Sequence, residues 1–236
     1  MINNKYLAEF IGTALLMMVI AGSGIMGYDL SRGNAGIALL INCIATGIAL
    51  FILITIFINV SGAHFNPLVT LVSWSDGEIN NEVFVKYFLS QLMGALLGIM
   101  ITHLIFYLPI IQFSTKVRAG YPFWISEFIS TLILLFVIKY FSNTNKNQIP
   151  LMISLLVTAG YLFTSSTFFV NPVLTIARSF TDTFVGIYSG DIIGFVISQL
   201  LATLVFIYFV KKKKLELFFN SPLYILPNSI VRIVTN

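Results

Sequence analysis

The chain has 236 residues, 58% of them hydrophobic and only 9% charged, with 13 lysines and arginines against 9 aspartates and glutamates. With a mean hydropathy of +0.94, that balance excludes a soluble globular domain and leaves a protein that crosses a membrane several times. The single cysteine, Cys43, lies in an apolar stretch, has no partner for an intramolecular disulfide, and reads as a small buried hydrophobe.

Taken in order, the first apolar run begins within a few residues of Met1 and reaches about Tyr28 with no small-residue cleavage site. It reads as a span, at 6–28, and not as a signal peptide. Further spans are predicted at 35–60, 83–108, 122–142, 149–167 and 187–210, making six. The linkers between them are short and polar and leave no room for a soluble domain. Residues 1–215 therefore read as one transmembrane domain with halves at about 1–115 and 116–215, followed by a short tail, 216–236.

Two stretches do not fit the pattern of full spans: Ser61-Gly-Ala-His-Phe-Asn-Pro-Leu-Val-Thr70 and Phe168-Phe-Val-Asn-Pro-Val-Leu-Thr175. Asn66 and Asn171 are suited to cap a helix, and Pro67 and Pro172 suit its first turn, where a missing N–H has no partner to lose. The apolar run after each is too short to cross a bilayer, which needs roughly 20 residues. Each is predicted to be a half-helix. The expected fold is thus an all-α membrane protein of six transmembrane helices plus two re-entrant half-helices.

The halves repeat. Ala8-Glu-Phe-Ile-Gly-Thr13 resembles Ser126-Glu-Phe-Ile-Ser-Thr131, the Asn-Pro stretches follow spans two and five, and Ser90-Gln-Leu-Met93 resembles Ser198-Gln-Leu-Leu201. Three spans per half is an odd number, so the second half enters from the opposite side and the repeat is inverted, with the half-helices tip to tip. By the positive-inside rule, Lys5, Lys86, Lys139, Lys146, Lys211 to Lys214 and Arg232 mark the cytoplasmic side. Arg32, Lys116, Arg118 and Arg178 mark the other, which puts both termini in the cytoplasm. The lysine run and the apolar residues after it read as a stop-transfer sequence or as a segment lying on anionic lipid.

Irregular backbone at membrane depth is tolerated only against protein or a watery cavity. Two facing helix N-termini, each with an Asn amide, offer hydrogen bonds to a neutral polar solute and repel cations. Glu9 and Glu127 occupy equivalent positions and read either as a proton relay or coupling site, or as acceptors for the irregular backbone ahead of each half-helix. His64 and His103 have no partner at metal-ligand spacing. Gly94 and Gly98 are spaced for close helix approach inside the bundle. No catalytic constellation, cofactor motif or nucleic-acid-binding surface is recognisable, so no enzyme, cofactor or metal is expected.

The paired Asn-Pro stretches, the Ala8-Glu-Phe-Ile-Gly-Thr13 opening, Ser61-Gly-Ala-His-Phe-Asn-Pro67 and the repeat together resemble the aquaporin and aquaglyceroporin (major intrinsic protein) family over nearly the whole chain. The resemblance implies a six-helix bundle with one pore per subunit, assembled as a homotetramer in the inner or plasma membrane, and a structural role for both glutamates. It implies a passive channel for water, glycerol-like polyols or neutral metalloid acids. A coupled secondary transporter, or a scaffold with a closed pore, is the alternative.

The chain departs from the family pattern where an arginine would follow the second Asn-Pro motif: Leu174 stands there. Arg178, four residues on, reads either as a filter shifted outward by one turn or as a partner of Asp182. The remaining filter positions implied by the family fall at Thr46, Phe168 and Tyr161. Thr46 stands where water-selective members often have Phe.

Overall fold

The computed structural model describes residues 4–212, and the tail 216–236, like Lys213 and Lys214 of the lysine run before it, lies outside the described residues. Those residues form helices joined by loops: α1 (Asn4–Leu30), α2 (Ala35–Ser61), α3 (Pro67–Ser75), α4 (Asn81–Ile105), α5 (Tyr121–Thr144), α6 (Ile149–Phe163), α7 (Pro172–Ala177) and α8 (Ile192–Lys211). Local chemistry sets their starts. Asn34, Asn66, Asn80 and Asn171 each turn a side-chain oxygen onto the first free N–H groups of α2, α3, α4 and α7. α5 and α6 have no side-chain cap, and a proline in the first turn presets φ and removes one N–H that would lack a partner.

Among the described residues five helices are long and apolar enough to cross a membrane, and α6 is not one of them. The span predicted at 149–167 ends at Phe163, giving 15 residues, or about 22 Å of helix. Thr164 N closes the last helical bond to Gly160 O at 3.2 Å, and the chain then leaves the helix, with Ser166 N donating to Ser126 Oγ at 3.3 Å. The span predicted at 187–210 likewise starts late, at Ile192. Ile187 N and Tyr188 N are bonded to Arg178 O and Lys116 O in the preceding connection, at 3.2 and 2.7 Å.

The helices pack as two equivalent halves. α1 lies against α2 and α4, α5 against α6 and α8, α2 against α6, and each half-helix against both α4 and α8. Close approach is bought with small residues: a Cβ added at Gly94 would lie 2.4 Å from Phe10 O, and one at Gly98 2.5 Å from Ala14 O, so the α1–α4 seam requires both glycines. The distribution of polarity is inside out. Glu9, Gln91, Thr70, Glu127, Gln199 and Thr175 are buried, while Ile48, Ile56, Leu89, Met93, Leu155 and Leu204 are exposed, as lipid requires.

Candidate functional site

α3 and α7 meet end to end inside the bundle. Ahead of each, the chain crosses in a strained loop. Gly62, Ala63 and Phe65 have φ of 87°, 51° and 47°, and Thr167, Phe168 and Val170 have φ of 59°, 55° and 43°. These are the same three places counted back from each asparagine. Positive φ at a β-branched residue such as Val170 is unfavourable, so other contacts must hold these loops in place.

The two glutamates supply those contacts. Glu9 accepts hydrogen bonds from Ser61 Oγ (2.6 Å), His64 N (2.9 Å), Phe65 N (2.7 Å) and Gln91 Nε2 (2.8 Å). Glu127 accepts from Phe169 N (3.0 Å), Val170 N (2.8 Å) and Gln199 Nε2 (2.6 Å). Each glutamine also donates to the threonine of its motif, Gln91 to Thr70 Oγ1 at 3.1 Å and Gln199 to Thr175 Oγ1 at 3.2 Å. The two threonines donate in turn to Asn66 O and Asn171 O. A carboxylate whose oxygens face only donors is an acceptor in a finished network, with no oxygen set aside for a passing ion.

Asn66 Nδ2 donates to Val170 O at 2.7 Å and Asn171 Nδ2 to Phe65 O at 2.8 Å. The sequence predicts that each asparagine amide offers hydrogen bonds to a passing solute. In the structure one N–H of each amide ties the two motifs together, and one remains. Oδ1 of each asparagine caps its own helix.

A cavity of about 580 Å³ runs past both asparagines. Asn66, Asn171, Thr46, Tyr161, Phe168, Leu174 and Arg178 all lie on its wall, whereas Pro67 and Pro172 do not. The prolines instead fix the first turns of α3 and α7. One end of the cavity is polar, with Ser73, Glu78, Lys146 and Asn147, and the other reaches Phe169 and Arg178. Thr46 Oγ1 is buried and has no hydrogen-bond partner among the described residues.

Arg178 is 3% exposed. α7 ends at Ala177 and the chain tightens into a 3₁₀ turn, Arg178–Phe180, and Arg178 lies on the cavity wall. Its Nε donates to Val185 O at 2.6 Å and its guanidinium centre lies 3.4 Å from the ring centroid of Phe169. Asp182 is engaged elsewhere, accepting from Thr115 N (2.8 Å) and Thr115 Oγ1 (2.9 Å). His64 packs on the α3 side, with Nδ1 3.1 Å from Thr70 Oγ1 and its ring edge-on to Tyr87.

Sequence reasoning passed over Phe169 and Arg118. Phe169 stands two places before Asn171, as His64 does before Asn66, and that register was the available signal. Arg118 lies 5.1 Å from the Phe169 centroid, opposite Arg178 in sequence but beside it in space. No pattern marks a loop arginine as a partner of a half-helix. Beside it, Lys116 lies half-buried near Arg118 and Arg178, and burial first, then those two positive charges, push its ammonium down to about 8.

Residues 2–193 match the family model described as major intrinsic protein. The aquaglyceroporin AqpS of Rhizobium meliloti (strain 1021) is 42% identical over 200 residues, covering 85% of each chain. The aquaporin TIP2-1 of Zea mays is 38% identical over 92 residues, 38% of this chain and 37% of that one. The X-ray structure of the aquaglyceroporin from Plasmodium falciparum superposes with a TM-score of 0.71 at 21% identity, covering 91% of this chain and 97% of that chain, and so shares the fold.

Proposed function

The chain belongs to the major intrinsic protein family and is a passive membrane channel; on that premise we propose that it passes glycerol-sized uncharged solutes as well as water. The observation that carries this reading is a cavity of about 580 Å³ whose wall has Thr46 beside both asparagine amides and Arg178. A threonine in place of a phenylalanine leaves width on this wall, and the asparagine amides supply hydrogen bonds to a polyol or a neutral metalloid acid. Leu174, Phe168 and Tyr161 supply the apolar side of the same filter, and Arg178 its charge. Cations meet the positive ends of two half-helices together with a guanidinium, which disfavours their entry.

Sidedness supports cytoplasmic termini. Lys139 is bonded to Asp76 Oδ2 at 2.7 Å, and Lys146 shares the polar cavity end with Glu78, whereas Lys116, Arg118 and Arg178 gather beyond Asn171. We take the unit to be one domain over 1–215, in the inner or plasma membrane, assembled as a homotetramer against lipid. Because Glu9 and Glu127 are filled by backbone and glutamine donors, uptake should not depend on a proton or sodium gradient.

The test is stopped-flow light scattering on proteoliposomes given osmotic steps with sucrose, glycerol and arsenious acid. Permeabilities above those of empty vesicles for water and at least one of the other solutes are expected. Water permeability no higher than that of empty vesicles would sink the channel. Water permeation with neither glycerol nor metalloid flux would sink the solute class. Arg178→Ala should raise permeability to charged solutes, and unchanged selectivity would remove Arg178 from the filter.

A further inference from the structure

Beyond Asn171, three cationic side chains converge, and among the described residues none of them is bonded to a carboxylate. Lys116 Nζ donates to Phe184 O at 2.6 Å, Arg178 Nε to Val185 O at 2.6 Å, and Arg118 Nε to Gly186 O at 2.9 Å. Three consecutive carbonyls thus each hold one cation. Both guanidiniums lie by the ring of Phe169, at 3.4 and 5.1 Å from its centroid. Arg118 is 7% exposed and Arg178 3%.

Neutral carbonyls satisfy one donor apiece, and the Glu127 carboxylate offsets part of the charge of both guanidiniums only through space, so the buried cations keep donors without acceptors, which is costly. Among the described residues the ion pairs are Lys86–Glu82 and Lys139–Asp76, both at the other end of the bundle. The carboxylates nearest in sequence are turned to backbone and hydroxyl donors: Asp182 to Thr115, and Asp191 to the Arg118 N–H at 2.7 Å. Within the described residues each arginine donates through Nε, which leaves the terminal N–H groups of both guanidiniums for another acceptor. Arg178 carries its own onto the cavity wall.

We infer that Arg118, Arg178 and Lys116 form a binding site for a small oxyanion, a carboxylate or tetrahedral oxyanion, at this mouth of the channel. Planar guanidinium forks pair N–H groups with the oxygens of such an ion, which a spherical halide cannot match. An anion held there neutralises the cluster and stands over Arg178, so its occupancy slows passage through the pore proposed above; only this consequence rests on the channel reading. Lys116 loses its proton near pH 8, and the charged groups around it are Arg118 on its own loop, Arg178 after α7, and the engaged Asp182 and Asp191. Binding should therefore weaken as pH rises from 7 to 9.

The test uses the full chain in detergent, with sodium acetate, sodium phosphate and sodium chloride at matched ionic strength and pH 7. A saturable rise in melting midpoint is expected with at least one oxyanion and not with chloride. Lys116→Gln should weaken the apparent affinity about tenfold, and Arg118→Gln should abolish the rise. Equal shifts with chloride, no saturable shift with either oxyanion, or full binding retained in Lys116→Gln would each overturn the site. If Arg118→Gln does not fold, Lys116→Gln decides alone. Oxyanion binding in a protein that passes neither water nor glycerol would overturn the channel and leave the site; permeation without oxyanion binding would overturn the site alone.

Discussion

Glu127→Gln changes no volume and removes one charge, which isolates what the buried carboxylate does for the second half-helix. Glu127 is fully buried and accepts from Phe169 N, Val170 N and Gln199 Nε2. A glutamine has one acceptor oxygen, so its amide nitrogen must oppose at least one of these donors. A buried donor left without a partner costs about 1–3 kcal/mol, and the surviving bonds lose roughly half their strength with the charge. The sum is about 3–5 kcal/mol, or roughly a 10 °C fall in melting midpoint for a chain of this size. The loss concentrates at Val170, held at φ 43° and accepting from Asn66, so osmotic water permeability should fall with it. The assay is thermal unfolding of the detergent-solubilised variant, paired with vesicle shrinkage. A midpoint within about 2 °C of the parent and unchanged permeability would show that the loop is held by its own packing and not by the carboxylate.

Thr46→Phe fills the wide side of the cavity and should cut glycerol flux several-fold more than water flux, measured in the same vesicles; parallel loss of both would place the narrowing elsewhere. Gly94→Ala puts a Cβ 2.4 Å from Phe10 O, a backbone atom in a packed helix, so yield of folded protein on size exclusion should drop sharply. Lys116 is held near 8, below its ordinary 10.5, so between those values the unfolded chain binds more protons than the folded one and stability rises with pH. Lys116→Met should accordingly stabilise the protein most below pH 8, with the difference in melting midpoint shrinking towards pH 10; a constant difference would contradict the burial of charge there.

Much of this molecule follows from short-range rules that a sequence carries openly. Apolar runs of bilayer length, asparagine before proline at two helix starts, and glutamates at matching places in two halves are local or periodic features. Glu9 and Glu127 could be paired with the loops before Asn66 and Asn171 because a buried carboxylate at membrane depth needs donors and only irregular backbone has them free. The Gln91 and Gln199 landmarks make the same bonds despite different spacing from their asparagines, because the difference is absorbed in the loop before α8.

The tertiary structure decided what depends on distance between segments remote in sequence. No pattern in the chain says that each asparagine spends one N–H on the other motif, since that bond joins residues about a hundred positions apart. Nor could the alternatives for Arg178 be resolved by helical spacing, because α7 stops at Ala177 and a 3₁₀ turn redirects the side chain onto Phe169. The short α6 is not legible in the sequence because hydroxyl residues after Phe163 are tolerated in a membrane helix and in a loop alike, and only the partner at Ser126 chooses between them. Sequence by itself determined the class of fold and the two facing helix ends, since burial of backbone polar groups in lipid admits few solutions. The cationic mouth formed by Lys116, Arg118 and Arg178 emerged only when folding brought two loops together around three carbonyls.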